Sequence, residues 1–230
     1  KLRMQSDGGR LERVTWRRYF SVGRDIFLRT LCLVSVMFSF TVFGARMGDT
    51  VLAANAILMQ FFLFVSYFMD GFAYAGEALG GRFLGSGNRG AFASLHRALF
   101  VWGIAMAGVF TLFFAFAGEW TVCLLTNVGA VRQAAFRLLP VAMAVPFVSI
   151  ATFIYDGLFI GITATRDMFI STAAGTLGYF ALTALGTHLP IMAPECWLWT
   201  AFLLYLALRG SIQACLLPAI VRRKFHMHKA

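Results

Sequence analysis

Charge is what this sequence has least of. Lysine, arginine, aspartate and glutamate make up 13% of the 230 residues, against 60% hydrophobic residues, and the mean hydropathy is +0.75. A soluble domain needs more polar surface than that. Cysteine is confined to four positions, Cys32, Cys123, Cys196 and Cys215, with none of the close spacings of a metal site. Cys123 and Cys196 both fall near the same set of connections, so a disulfide is conceivable there. Isolated thiols in apolar surroundings are the simpler reading. Catalytic motifs are missing too: there is no Gly-x-Ser-x-Gly elbow, His-Glu-x-x-His pair or phosphate-binding loop. An enzyme is therefore not expected, and no cofactor is.

What the chain does have is apolar length. Six runs long enough to cross a bilayer can be marked, at 26–45, 51–80, 97–117, 132–160, 167–187 and 197–221. The expected fold class is an all-α membrane protein, a six-helix transmembrane bundle over 25–221. Residues 1–24 read as a basic linker or an interfacial amphipathic segment, and 222–230 as a basic tail. The net charge of +10 does not call for nucleic acid, because its distribution suits a membrane better. Residues 1–25 hold seven Lys and Arg, 81–97 three, 161–166 one and 222–230 four, whereas 118–131 and 188–196 hold none. The positive-inside bias puts both termini in the cytoplasm. Trp120, Trp197 and Trp199 then fall at the outer interface, and anionic lipid is the natural contact of His226, His228 and their lysines. Arg29, near the start of the first run, is placed to snorkel to the inner surface. His96 and His188 lie at span ends and read as solvated.

Three ionisable residues have no such escape. Asp70 is twelve residues from Arg82, Asp156 ten from Arg166, and Arg209 thirteen from Arg222. At about 1.5 Å per residue they form one layer some 15–20 Å from the basic flanks. A charge at the bilayer centre costs about 2.5–3.5 kcal/mol, so these groups should face one another or a wet cavity. Arg209 is expected to pair with Asp156 or Asp70. Each acid reads either as a structural partner or as a titrating or ion-coordinating group. Glu77, two turns after Asp70 on the same face, can reach water or Arg82.

Pro140 and Pro146 predict a kinked or unwound stretch in the fourth span. Pro190 and Pro194 predict a firm turn before the sixth. Gly44/Gly48, Gly76/Gly80, Gly81/Gly85 and Gly157/Gly161 are small-xxx-small pairs, read first as close helix packing, with bending at the helix ends compatible. Phe61, Phe62, Phe64, Tyr67, Phe68, Phe72 and Tyr74 could line a site for hydrophobic cations or simply face lipid. "YFMDGFAYAGE" at 67–77 and "TFIYDGLFIGIT" at 152–163 align on Asp-Gly, an internal echo of the kind transporters carry.

"GRDIFLRTLCLV" at 23–34, "DGFAYAGEALGGRFLGSGN" at 70–88, "DGLFIGITATRDM" at 156–168 and "ALRGSIQACLLP" at 207–218 together resemble the carboxy-terminal half of a multidrug and toxic compound extrusion (MATE) transporter of the DinF-like branch. The resemblance implies one six-helix lobe of a twelve-helix exporter in a bacterial inner membrane, whose missing amino-terminal lobe would precede Lys1. It implies export of organic, often cationic compounds by proton or sodium antiport. Asp70, Asp156 and Glu77 are then the coupling candidates, with Arg209 as charge partner. Asn55, Gln60, Tyr67 and Tyr155 are the polar candidates for lining the substrate path. Asp156 matches one acid of a second-lobe cation site found in sodium-coupled relatives, but the first span offers no acid for the other. A lipid-linked oligosaccharide flippase of the same superfamily and a non-transporting scaffold are the alternatives.

Overall fold

The computed structural model describes residues 8–186 and 192–227, with side chains from Trp16 to Phe225 except Arg17 and Arg18. The expectations that fall on residues 1–7, His188, Pro190, the His226 side chain and His228–Ala230 lie outside the described residues. Six helices account for nearly everything else: α1 (Gly8–Arg46), α2 (Asp49–Gly85), α3 (Arg89–Leu125), α4 (Gly129–Gly161), α5 (Thr165–Gly186) and α6 (Pro194–Met227). All six are long and apolar enough to cross a membrane. A helix of 37 residues, such as α2 or α3, is about 55 Å long, so its ends project well beyond a hydrocarbon core of about 30 Å.

Tight turns join them. Gly48, with φ +108°, breaks the chain between α1 and α2. At the far end of α2 the Asn88 amide donates to Phe83 O and the Gly87 amide to Leu84 O, each at 3.0 Å, and Gly87 takes the left-handed φ of 65° that such a stop requires. Asn88 then caps α3 by accepting from the Ala91 amide at 2.9 Å. The α4–α5 turn has the same form, but a threonine, Thr163, holds the left-handed position at φ 53°.

Helix α4 is the hub, packed by α2, α3 and α6, while α1 lies mainly along α5. Of the most apolar window of α4, 56% is buried, against 11% for α1. That fits the sequence of α4, which is apolar all round. Glycines decide how near the helices come. A Cβ built at Gly157 would overlap the Ala73 carbonyl, and one at Gly161 would overlap Glu77 O. Gly76 and Gly80 face Leu158 from the other side, and a Cβ on Gly81 would stand 3.0 Å from Gly161 O. Since 73 meets 157 and 77 meets 161, α2 and α4 run parallel at an offset of 84 residues, two short of the Asp-Gly echo. This seam is backbone against backbone. Gly157 and Gly161, expected at a bending end, are here points of backbone-to-backbone contact, and of the eight paired glycines Gly48 and Gly85 stand in open space.

Several expectations need correcting. The first span is helical already from Gly8, so 8–24 are no loose linker, and Trp16, Tyr19 and Phe20 cluster on the exposed surface of this segment. Helix α4 is not unwound at Pro140 or Pro146. One turn before Pro146 the Met143 carbonyl accepts from Thr111 Oγ1 of α3 at 3.2 Å, so the polar backbone beside the break meets a neighbouring helix. Trp199 is not at an interface: it is fully buried and donates to Asn55 Oδ1 at 2.9 Å. Trp197 turns inward as well, donating to Leu182 O at 2.6 Å, while Trp120 is exposed as expected. All four cysteines are free, in line with the simpler reading of isolated thiols. His96 is not solvated at its tip. Its ring stacks on Tyr155 at 5.7 Å, and Nε2 is buried without a partner.

Candidate functional site

The seam presses α4 against α2 just beyond Asp156 and Asp70. With 73 level with 157, Asp70 stands about two residues, or 3 Å, above Asp156 along the shared axis. Helix α6 closes on α4 at the same height, because Gly210 lets its backbone approach Ala151 and Thr152. Thr152 Oγ1 donates to Leu206 O at 2.9 Å and ties the two helices.

In this corner Asp156 is buried and fully engaged. Its Oδ2 accepts from Nη2 of Arg29 on α1 and from Nη2 of Arg209 on α6. Its Oδ1 accepts from Gln213 Nε2 at 2.8 Å. Arg209 and Gln213 are themselves buried. One carboxylate thus joins α1, α4 and α6. Breaking such a pair from one side costs about 3–5 kcal/mol, because a charge is left without its counterion.

Asp70 has a different environment. It is half-buried and has no hydrogen bond or ion pair among the described residues. It lines a cavity of about 370 Å³ together with Arg29, Asp156, Glu77, Tyr205 and Arg209. Glu77 lies on the same wall and has no ion pair among the described residues, so the expected bridge to Arg82 is absent. The wall therefore carries two positive and three negative groups, one negative charge in excess when all are ionised. One proton or one monovalent cation would neutralise it.

The other sequence candidates lie elsewhere. Asn55 clamps α2 to α6 through Trp199, and its Nδ2 is buried against Gly44. Gln60 and Tyr67 border a separate groove between α2 and α3, with Phe64, Phe113 and Phe114. Tyr155 points from the opposite side of α4, onto His96 and Phe100 of α3. The aromatic run divides too: Phe61 and Phe62 are core, Phe64 and Phe68 pack on Phe110, and Tyr67 and Tyr74 are exposed.

Sequence reasoning missed Arg29 and Gln213. Arg29 does not snorkel, and the reason is a matter of height. The ten residues from Asp156 to Arg166 include the turn at 162–164, so Asp156 is only five residues, about 7.5 Å, from the end of α4 at Gly161. Arg29 is five residues past Arg24 and meets it there. The usable signal was the equal five-residue spacing of Arg29 from Arg24 and of Asp156 from Gly161.

Comparison with known proteins agrees with this architecture. The family model MatE matches residues 26–185. The chain is also 36% identical over 213 residues to the DNA damage-inducible protein F of Escherichia coli (strain K12), an alignment covering 91% of this chain and 46% of that protein. It thus spans about half the length of the curated relative it matches. With most of its six helices inside the matched region, the chain belongs to the MatE family.

Proposed function

We propose that this chain is one lobe of a secondary active exporter that moves organic, often cationic compounds against a proton or sodium gradient by alternating access. A second six-helix lobe is its partner and closes the cavity from the far side. The two acids divide the work. Asp156 holds the lobe together, and Asp70 carries the charge that changes during the cycle. The observation behind this division is the contrast between a carboxylate whose two oxygens accept from two guanidinium groups and an amide, and one on the same cavity with no partner. A sodium ion needs several free oxygens, and both oxygens of Asp156 are already hydrogen-bonded, which favours a proton at Asp70.

The test is dye efflux from proteoliposomes holding the full-length protein. Asp70→Asn should abolish proton-driven efflux of a cationic dye while leaving yield and melting near wild type. Efflux at the wild-type rate in Asp70→Asn would refute the assignment. A flippase for lipid-linked oligosaccharides gains some support from the second arginine on the cavity wall. Both arginines are committed to Asp156, however, and the wall keeps a negative excess that would repel a pyrophosphate linkage. A scaffold would tolerate neutralisation of Asp70 in every transport assay.

A further inference from the structure

Arg29 is bound to Asp156 by a single nitrogen. Its Nη2 makes the contact, and its Nε is buried with no partner. It borders the same cavity as Asp70, the unpaired carboxylate. Asp156 would remain satisfied without it, since Arg209 Nη2 and Gln213 Nε2 stay in place. Arg209 has no such freedom, being 4% exposed and set in the α4–α6 contact. The helix that carries Arg29 is also the least buried of the six. A cation held by one nitrogen, a second acid on the same cavity and a little-buried helix are the parts of a two-position device.

We propose that Arg29 is a positioning residue shared between two carboxylates: it stands on Asp156 when Asp70 is protonated, turns to Asp70 when that proton leaves, and draws α1 towards α2 as it turns. The inference rests on the reading of Asp70 as the coupling group. The proton passes from the Asp70 carboxyl to the solvent of the cavity, and the guanidinium stays charged throughout. The titratable and charged groups facing it are Asp70, Tyr74 and Glu77 from α2, Asp156 from α4, and Tyr205 and Arg209 from α6; α3 and α5 contribute none to this wall. Only Asp70 and Glu77 among them are acids without a partner, and Glu77 lies two turns away from Asp70. A charge that exchanges partners in this way changes helix position by about 1–2 Å, the scale of known switching shifts.

The experiment places spin labels on α1 and α2 of the full-length protein, in a cysteine-free background and in liposomes. Leu31→Cys and Ala78→Cys are both exposed and lie off the cavity wall. The label separation is compared at pH 5.5 and pH 8.5. Wild type should show a shorter separation at the higher pH, by about 1–2 Å. Asp70→Asn should stay at the acid value at both pH values, Arg29→Gln should lose the dependence, and Arg29→Lys should keep part of it. Arg29→Lys also guards against a folding defect in the glutamine variant. A full pH-dependent shift in Arg29→Gln would overturn the proposal. So would a constant separation in wild type while Asp70→Asn abolishes efflux, and in that case the coupling role of Asp70 would stand. If instead Asp70→Asn transports normally but loses the shift, the coupling role falls and the exchange of Arg29 stands.

Discussion

Asp156→Asn replaces the anion that two arginines share, with almost no change of shape. The asparagine can still accept from Gln213 through its carbonyl, but its amide nitrogen then faces the two Nη2 donors, so both of those hydrogen bonds are lost along with the charge. Two nitrogens hydrogen-bonded to one oxygen stand at most about 6 Å apart. Unit positive charges at that distance repel by about 3 kcal/mol at an effective dielectric of 20. Adding the stranded, buried Arg209 brings the expected destabilisation to about 3–5 kcal/mol. Arg209→Gln should cost less, because Asp156 keeps Arg29 and Gln213. The double variant Asp156→Asn/Arg209→Gln should be more stable than Asp156→Asn by itself, since it removes one of the two repelling charges. The assay is thermal unfolding in detergent, followed by loss of the monodisperse peak on size exclusion. If the two single changes lower the melting temperature equally and the double variant loses their sum, the shared-anion reasoning is wrong.

The remaining predictions concern the packing around this network. Gly157→Ala should destabilise by about 1–3 kcal/mol or more, because the added methyl meets the Ala73 carbonyl, whereas Gly85→Ala, in open space, should be neutral or mildly stabilising in the same melting assay. Trp199→Phe removes the donor to Asn55 Oδ1 and should cost about 1–3 kcal/mol, read as a lower melting temperature. Thr163→Gly relieves a left-handed threonine and should gain on the order of 1 kcal/mol, less whatever its exposed contact with Lys224 contributed.

The spans were legible because bilayer thickness and hydropathy constrain length directly, and all six apolar runs coincide with helices, the fifth as far as Gly186. Asp70, Asp156 and Arg209 were singled out by the cost of burying charge, and the structure sets them around one cavity. The partner set was harder to read. Arg29 lies 127 residues before Asp156, and counting residues through the α4–α5 turn overstated how deep Asp156 sits. Trp199 was misplaced for a related reason. Hydropathy says that α6 crosses near there, but only the packing of α2 says that Asn55 waits opposite. Whereas Gly48 and Gly85 stand in open space, Gly76/Gly80 and Gly157/Gly161 were read correctly as close contacts. Their pairing across α2 and α4, offset by 84 rather than by the 86 of the echo, is a property of two surfaces and is absent from either segment taken by itself.

Around Gly157 and Gly161 the contact between α2 and α4 is backbone on backbone, leaving little there for a mutation to trim by degrees. It acts as a weld. Any bending of the bundle must carry both helices as a single stiff beam, with Asp70 and the Asp156 cluster fixed to opposite flanges. Compliance is left to α1, the least buried helix, so the first helix is where engineered locks would register.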